Sequence, residues 1–380
     1  MRRLGFLICG LILICLLGCK TEPTSNALSG NFQKESRKGS ENDYTTQALS
    51  WADSIVSSLD TTSLIGQLLM PSSYAKADYF TVRKVTDYVS YYKIGGIVWL
   101  KGDTLSMRTL SDTLSKVSEV PLFMAIDAEW GLAMRLEGTE EFPKNYRLGD
   151  LADDSLYDYG YRLGKDAIKY GLNVVFAPVL DVSADKKSVM FSRSYGGDPI
   201  KVADKGCSFA RGLSDGGILP VAKHFPGLGA TDIDSHRELP TVEDGLDKIE
   251  SRDLYPFKRF IDNQLGAIMI GHVWMPSADS VPRPSTLSPV IVTELLRNKM
   301  KFEGLIFSDA MNMHALDKKG KELYVEALKA GADVLIVPQN TKEAVEEIYQ
   351  AIKRGEISME AIKGKVRRIL FYKYPRKVIK

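Results

Sequence analysis

The sequence predicts an α/β fold in which parallel strands alternate with helices. Short apolar runs typical of strands recur from residue 48 onward, and segments with helical periodicity separate them. Strands that are apolar throughout belong to parallel sheets covered by helices on both faces. Polar residues follow the strand ends, where such folds carry their sites. Eight strands close a (β/α)8 TIM barrel, so we predict this barrel as a single domain over residues 48–380.

The predicted strands lie at 65–70, 94–100, 122–126, 173–177, 218–223, 267–271, 304–308 and 333–337. The predicted helices include 151–170, 200–214, 247–263, 291–299, 321–330, 341–354 and 359–372. The main alternative is an open doubly wound sheet, which normally carries a Gly-rich fingerprint after its first strand. Residues 64–73 contain no such fingerprint, and we therefore favour the barrel.

The N-terminus reads as an export signal. Arg2 and Arg3 precede an apolar run over 4–17 that is shorter than the ~20 residues of a membrane-spanning helix. The run ends in L-L-G-C at Cys19, which resembles the lipobox of bacterial lipoproteins and implies cleavage before Cys19 and lipid on its thiol. We expect a signal peptide over 1–18 and a membrane-anchored lipoprotein in the cell envelope, facing the periplasm or the surface. A plain secretory signal or an uncleaved anchor is the alternative.

The composition of the chain predicts a flexible segment and excludes several kinds of partner and site. Residues 19–47 are almost free of aliphatic side chains, which predicts a flexible tether. The 50 basic and 48 acidic residues nearly cancel and form no basic stripe, so nucleic acid is not an expected partner. Cys9 and Cys15 would leave with the signal, and Cys207 would join Cys19 as the other thiol of the mature chain. A disulfide framework or a Cys-based metal site is therefore excluded.

Residues 223–240 read K-H-F-P-G-L-G-A-T-D-I-D-S-H-R-E-L-P and follow a buried strand. Polar groups at such a place are costly unless they are used, so we predict an active-site loop. Strand ends elsewhere carry further polar residues that should converge on the same face. They are Asp127, Glu129, Arg135, Asp181, Arg193, Lys223, His224, His272 and Asp309.

These residues fit glycosidic bond hydrolysis better than other chemistries. The chain has no G-x-S-x-G serine and no H-E-x-x-H zinc motif, although ligands from separate strands could still form a metal site. The pair Gly227-x-Gly229 is a weak dinucleotide signal. Glycoside hydrolysis needs a carboxylate on one face of the sugar and a proton donor on the other.

Asp309 directly follows an apolar strand, which suits a rigidly held nucleophile. The alternative is an N-cap of the next helix. Asp234 and His236 stand two residues apart, on one side of an extended segment, so the carboxylate could orient the imidazole as an acid/base. The alternative there is a surface turn.

The motifs K-H-F-P-G-x-G-x-T-x-x-D-S-H, I-D-x-E-x-G-x-x-x-R, S-R-S-x-G, a Gly-His after strand six and an S-D before a Met-rich turn occur in order between residues 65 and 372. The set resembles glycoside hydrolase family 3, in its β-N-acetylglucosaminidase branch. This resemblance implies a (β/α)8 barrel, retaining catalysis through a covalent glycosyl-enzyme, and no metal or organic cofactor. It implies that Asp309 is the nucleophile and that His236 with Asp234 is the acid/base dyad.

The resemblance also implies a sugar-binding set of Asp127, Arg135, Arg193, Lys223 and His224. From the residues alone, Lys223 and Asp127 could instead form a structural ion pair. His272 could line the pocket or hydrogen-bond within the barrel mouth, and His314 is expected to be structural or exposed.

The chain departs from the family pattern at four positions. Leu228 and Ala230 replace a His and an Asp of the loop, Trp130 replaces a Gly, and Ala310 replaces a second Asp. These changes bear on loop motion and on the leaving-group side of the substrate.

We expect a lipid-anchored exo-β-N-acetylglucosaminidase whose carbohydrate substrate is a muropeptide, a chitin oligomer or another N-acetylglucosamine-containing glycan. The alternatives are a β-glucosidase-type enzyme, which the D-S-H dyad disfavours, a glycoside phosphorylase, and a catalytically weak sugar-binding lipoprotein.

Overall fold

The computed structural model describes residues 43–375 except 232, 234, 236 and 317–321. The backbone divides into two units, residues 1–47 and residues 48–380. Within the described ranges, no helix combines the length and apolar character needed to cross a membrane. The predicted signal peptide, Cys19 and most of the predicted tether lie outside the described residues.

The strands are parallel and form a curled sheet. Their bounds are β1 Leu69–Met70, β2 Ser72–Ala75, β3 Gly96–Asp103, β4 Phe123–Ile126, β5 Leu136–Glu137, β6 Val174–Val175, β7 Leu219–Phe225, β8 Ala267–Ile270, β9 Ile306–Ser308 and β10 Leu335–Ile336. The sheet runs in the order β2-β3-β4-β6-β7-β8-β9, with β5 beside the end of β3. In addition, β1 pairs with β10, and Phe307 in β9 forms a parallel bridge with Val334.

Helices connect the strands. They are α1 over residues 43–58, α2 Thr61–Gln67, α3 Tyr79–Tyr92, α4 Thr104–Val117, α5 Asn145–Leu148, α6 Asp153–Lys169, α7 Pro199–Asp215, α8 Leu246–Lys248, α9 Leu254–Asp262, α10 Leu323–Ala330, α11 Thr341–Lys353 and α12 Met359–Lys373. Two π-helical segments, Ile249–Asp253 and Val290–Lys299, complete the set together with short 3₁₀ turns. The predicted alternation of parallel strands and helices is confirmed.

Three phenylalanine rings show how strongly the sheet curls. Phe307 in β9 lies 6.2 Å from Phe123 in β4 and 5.9 Å from Phe176, just after β6, between ring centroids. In the sheet order β9 is four strands from β4. A flat sheet would place those strands about 19 Å apart. The sheet therefore curls around an apolar interior.

The predicted strand at 65–70 is wrong over most of its length. Ile65 and Gln67 belong to α2, whose first turn is capped by the Asp60 carboxylate accepting the Ser63 N–H at 2.8 Å. Only Leu69–Met70 is strand. Residues 64–70 are all buried, so no polar face reveals a helical period in this run. The seven other predicted strands each overlap an observed one, whereas β2 and β5 were not predicted.

A buried ion cluster locks the amino ends of the last two strands. Asp333 has no exposed surface, and its carboxylate accepts hydrogen bonds from Arg297 Nη2 and Arg368 Nη1, both at 2.6 Å. It also accepts the Ile306 N–H at the start of β9, at 2.9 Å. One carboxylate thus joins β9, the π-helical segment Val290–Lys299 and α12.

We predict that Asp333→Asn destabilises the protein. The amide keeps the shape of the side chain but leaves two guanidinium groups without their counter-charge. Removing one partner of a buried pair costs about 3–5 kcal/mol, and we expect about 2–3 kcal/mol here because Arg368 is 38% exposed and water compensates part of the loss. Urea unfolding measures the change.

The matched control is Asp262→Asn, whose carboxylate is 52% exposed and pairs with Lys258 on the surface of α9. This control should change the free energy of unfolding by less than about 0.5 kcal/mol. Equal unfolding midpoints for the two variants would contradict the role given to Asp333.

Candidate active site

Lys223, near the carboxyl end of β7, is the centre of a group of charged side chains. Its Nζ lies 2.7 Å from Asp127 Oδ1 and 2.8 Å from Glu129 Oε1. Asp127 and Glu129 follow the end of β4. In the sheet, only β6 lies between β4 and β7. The side chains of Lys223 and Glu129 are each only 3% exposed. The ion pair between Lys223 and Asp127, weighed above as an alternative to sugar binding, is therefore present.

Two arginines complete this charged cluster, defined as Asp127, Glu129, Arg135, Arg193 and Lys223. Arg135 Nη2 donates to Asp127 Oδ2 at 2.8 Å. Arg193 donates two hydrogen bonds to Glu129, from Nε to Oε2 at 2.9 Å and from Nη2 to Oε1 at 2.7 Å. The side chains of Asp127, Arg135 and Arg193 keep between 25% and 29% of their surface exposed. They form the accessible layer of the cluster, and Lys223 and Glu129 lie beneath it.

Mutual pairing keeps this cluster ionised. Burial raises the pKa of Glu129, but the charges of Arg193 and Lys223 outweigh burial and hold this pKa well below its usual range. The pKa of Asp127 is lowered in the same way, because Lys223 and Arg135 outweigh its burial. Burial lowers the pKa of Lys223, but Asp127 and Glu129 raise it by more, so the ammonium persists. Both carboxylates and the ammonium are thus charged at neutral pH.

His224 is oriented from both of its ring nitrogens. Nε2 lies 3.3 Å from Arg193 Nη2, and Nδ1 lies 2.8 Å from Asp181 Oδ2. A guanidinium group can only donate, so Nε2 accepts this bond and the proton on Nδ1 is donated to Asp181. His224 is only 5% exposed, and its ring connects the charged cluster to the segment after β6.

The turn from His224 to Leu228 forms the root of the predicted active-site loop. Asp181, fully buried, accepts the His224 N–H at 3.1 Å with Oδ2 and the Leu228 N–H at 2.5 Å with Oδ1. Leu228 itself is buried in the core. At Gly229, a Cβ would lie 1.9 Å from the Val182 carbonyl oxygen, so only glycine fits. The loop therefore starts from a tightly held base.

Asp309 follows β9 and is partly exposed. Its N–H donates to the Ile270 carbonyl at 2.9 Å, and its Oδ1 accepts the N–H of the next residue, Ala310, at 2.8 Å. A helix N-cap would accept from a residue two or three positions further on, so this contact does not support the N-cap alternative. Burial raises the pKa of Asp309, but His224 and His272 when protonated, the Ala310 N–H and Lys223 lower it below its usual value. Asp309 is thus a carboxylate at neutral pH.

His272, after β8, has no exposed surface. Its Nδ1 lies 2.8 Å from Thr286 Oγ1, and its Nε2 lies 3.0 Å from the Ala310 carbonyl oxygen. Both ring nitrogens are used within the protein, which favours the second of the two roles weighed for this residue. His272 thus supports the backbone that follows Asp309. His314 is exposed and opens a 3₁₀ turn, His314–Leu316.

The predicted dyad residues Asp234 and His236 lie outside the described residues. Ser235, between them in sequence, is described and is buried. Its carbonyl oxygen accepts the Ala315 N–H at 3.3 Å, in the segment that follows Asp309. The loop after β7 therefore contacts the loop after β9.

Two acidic residues of the site received no role from the sequence. Glu129 binds both Lys223 and Arg193, and Asp181 holds His224 and the loop root. Both follow apolar runs at strand ends, and this signal marked them as candidates without showing their partners. Asp253, buried next to Gly227, had no signal in the sequence.

Comparison with known proteins agrees with this architecture. Residues 61–371 match the glycosyl hydrolase family 3 N terminal domain. "Beta-hexosaminidase A" of Pseudoalteromonas piscicida is 28% identical over 361 residues, which cover 82% of this chain and 60% of the relative. The "Beta-hexosaminidase" of Nitrosomonas eutropha is 31% identical over 278 residues, covering 70% of this chain and 79% of the relative.

Solved structures show the same similarity. A glycoside hydrolase family 3 beta-N-acetylglucosaminidase from Paenibacillus sp. str. FPU-7 superposes with a TM-score of 0.79 at 31% identity, covering 83% of this chain and 62% of that one. M tuberculosis LpqI gives 0.76 at 29% identity, with coverages of 86% and 97%. The chain thus spans about three fifths of the Pseudoalteromonas and Paenibacillus proteins, whereas it spans nearly all of LpqI. The family match over 61–371 accounts for most of the chain, which therefore belongs to glycosyl hydrolase family 3.

Proposed function

We propose that the protein is an exo-acting β-N-acetylglucosaminidase that hydrolyses terminal β-N-acetylglucosaminides with retention of configuration. The observation that carries this proposal is the carboxylate of Asp309 at the carboxyl end of β9, which backbone hydrogen bonds to Ile270 and from Ala310 hold in place. A nucleophile and a set of sugar-binding charges thus meet at the carboxyl ends of β4, β7 and β9. The hexosaminidase relatives and the Paenibacillus enzyme support N-acetylglucosamine as the terminal sugar.

The accessible layer of the charged cluster would hold this sugar. Asp127 can accept hydrogen bonds from neighbouring hydroxyl groups, and Arg135 and Arg193 can donate to hydroxyl or carbonyl oxygens. Lys223 and Glu129 are too deeply buried to contribute more than a small contact, and they hold the layer above them in place. Bonds to charged groups are the stronger class of hydrogen bond, at about 1.5–3 kcal/mol each, so this layer could orient the sugar.

Asp309 would attack the anomeric carbon, forming a glycosyl-enzyme ester as the bond to the leaving oxygen breaks. His236, oriented by Asp234, would donate its proton to that oxygen. In the second step His236 would take a proton from water, the oxygen of which attacks the anomeric carbon and releases Asp309. The contact between Ser235 and Ala315 supports this arrangement, because it joins the loop that carries His236 to the segment after Asp309.

We further propose that the sheet closes into an eight-stranded (β/α)8 barrel and that residues 48–380 are one catalytic domain. The pairing of β1 with β10 and the bridge between Phe307 and Val334 support closure. Pro71 separates β1 from β2, so these two short strands would count as one interrupted strand of the barrel.

We also propose that Cys19 carries a lipid and that residues 20–47 tether the enzyme to a membrane of the cell envelope. Muropeptides, chitin oligomers and other glycan ends are the substrates such a position would offer. The basic start, the apolar run and the L-L-G-C sequence support the anchor.

Replacement of the proposed nucleophile, Asp309→Ala, tests the proposed chemistry. We expect kcat on an aryl N-acetyl-β-glucosaminide to fall roughly a thousandfold or more, as removal of a covalent nucleophile does in other enzymes. Azide should restore turnover of an activated aryl donor and give the α-glycosyl azide, because a small anion can occupy the vacated space. Product analysis by NMR measures both results. Asp262→Ala, which removes an exposed carboxylate, should leave kcat unchanged. Undiminished hydrolysis by Asp309→Ala would refute this nucleophile.

Replacement of the proposed proton donor, His236→Ala, tests acid catalysis. Loss of a proton donor should slow glycosides with poor leaving groups by roughly 10²–10⁴-fold, whereas dinitrophenyl glycosides, which need no proton, should lose far less. The kcat/KM ratio between the two classes measures the effect. Asp262→Ala removes an exposed carboxylate on the surface of α9 and should not change that ratio. Equal losses on both substrates would argue against acid catalysis by His236.

The proposed lipid anchor can be tested independently of catalysis. Mass spectrometry of the protein extracted from membranes should find a chain that begins at Cys19 and carries lipid. Cys19→Ser should shift the protein out of the membrane fraction or leave the signal uncleaved. A wild-type chain without lipid on Cys19 would overturn this proposal without affecting the proposed chemistry.

A further inference from the structure

Two aromatic rings stack at the surface next to Arg193, a member of the accessible layer of the charged cluster. The rings of Tyr146, in α5, and Phe191, in the segment after β6, lie 6.0 Å apart between centroids, with 23° between their planes. Tyr146 is 37% exposed, and Phe191 is partly exposed. Small-molecule sites are lined mainly by apolar and aromatic side chains. This aromatic pair is therefore a candidate extension of the site.

A tight turn holds Phe191 close to the guanidinium group of Arg193. The Arg193 N–H donates to the Met190 carbonyl oxygen at 3.0 Å, so Phe191 and Ser192 are the central residues of the turn. Met190 has no exposed surface, and its sulfur accepts a hydrogen bond from Arg193 Nη1 at 3.4 Å. The turn that carries Phe191 thus packs against the side chain of Arg193.

The second ring of the pair is fixed to the same backbone. Asn145, which precedes Tyr146, has no exposed surface, and its Nδ2 donates to the Arg193 carbonyl oxygen at 2.6 Å. The guanidinium carbon of Arg147 lies 5.4 Å from the centre of the Tyr146 ring, and its Nε donates to the Tyr146 hydroxyl at 3.2 Å. The aromatic pair is thus held in place without a ligand, which lowers the entropic cost of binding one.

The segment that carries Phe191 also contacts the loop after β7. Ser188 is buried, and its hydroxyl donates to the Thr231 carbonyl oxygen at 3.0 Å. Between Ser188 and Phe191 in sequence, Val189 is 37% exposed. Residues 188–193 therefore extend from the loop after β7 to the accessible layer of the charged cluster, and Val189 and Phe191 give this segment exposed apolar surface.

This position corresponds to the leaving-group side of the proposed reaction. The accessible layer would hold the terminal sugar, and the loop after β7 would supply the proton to the leaving oxygen. A group attached to that oxygen would then extend over the surface where residues 188–193 join the two. One face of a sugar ring consists of C–H groups, which pack favourably on the negative face of an aromatic ring.

We propose that Tyr146, Val189 and Phe191 form a subsite for the sugar on the leaving-group side of the cleaved bond. Its occupant is a second pyranose ring, as in a chitin disaccharide. The apolar surface fits the C–H face of this ring, and the exposed guanidinium group of Arg147 can donate to its hydroxyl groups. This assignment rests on the proposed function and adds to it a preference for oligosaccharides over glycosides with small leaving groups.

The test compares two substrates that differ in the leaving group alone. N,N′-diacetylchitobiose releases a sugar, whereas trifluoroethyl N-acetyl-β-glucosaminide releases an alcohol of similar acidity that has no ring. For Phe191→Ala we expect kcat/KM on the disaccharide, divided by kcat/KM on the trifluoroethyl glycoside, to fall roughly tenfold, the size of one aromatic stacking contact. Phe191→Tyr keeps a ring and should restore the ratio. Chromatography of the released products measures both rates.

Tyr161→Ala is the matched control. Tyr161 is 37% exposed and stacks on Tyr157 at 6.3 Å, within α6, so this variant removes an equally exposed ring from another stacked pair. Its substrate ratio should equal that of the wild type. An unchanged ratio in Phe191→Ala, or equal losses on the two substrates, would overturn the proposed subsite.

Binding of an uncleavable disaccharide decides the matter without turnover. The wild type should bind thio-linked N,N′-diacetylchitobiose roughly tenfold more tightly than methyl N-acetyl-β-thioglucosaminide, as measured by titration calorimetry. Tyr146→Ala, which changes an exposed side chain, should reduce this difference and serves if Phe191→Ala does not fold. Equal affinity of the wild type for both ligands would overturn the subsite. An enzyme inactive on every glycoside would refute the proposed function, while the titration would still decide the subsite.

Discussion

The buried ammonium of Lys223 is the interaction on which the site depends. An isolated charge with 3% exposure would be unstable, and it persists because two carboxylates from the loop after β4 lie within 2.8 Å. Those carboxylates in turn recruit Arg193 and Arg135, which bind them from other directions. Each charge offsets part of the desolvation cost of burying its oppositely charged neighbour. The cluster is consequently rigid, and its upper layer is already oriented before a ligand arrives.

The loops that follow the strands around this cluster differ in the contacts they make. The loops after β4 and β6 supply groups that are paired with one another. The loop after β7 begins in the same network, through His224 and Asp181, but extends to Ser235 and the segment beyond Asp309.

Much of this could be predicted because it depends on local pattern. The apolar runs fixed seven of the eight strands within a few residues, since buried strands must be apolar and short. Strand-end polarity identified Asp127, Arg193, Lys223, His224 and Asp309 as members of one face, because parallel strands bring their carboxyl ends together. The failure at 65–70 has the same origin. A helix buried on all sides loses its polar face, and the pattern then cannot separate it from a strand.

Pairing and charge state were decided by the tertiary structure alone. Which cation meets Glu129, which carboxylate orients His224, and why His272 turns toward Ala310 depend on distances between segments tens of residues apart. The same is true of Asp253, whose proximity to Gly227 arises from the packing of a π-helical turn against a loop root. The sequence by itself determined the alternation of strands and helices, the face that bears the site and the residue types available there. The tertiary structure alone decides that Asp309 is ionised, that Lys223 is buried and that Gly227 packs against Asp253. These properties depend on burial and on Coulomb interactions, which the spacing of residues in the sequence does not encode.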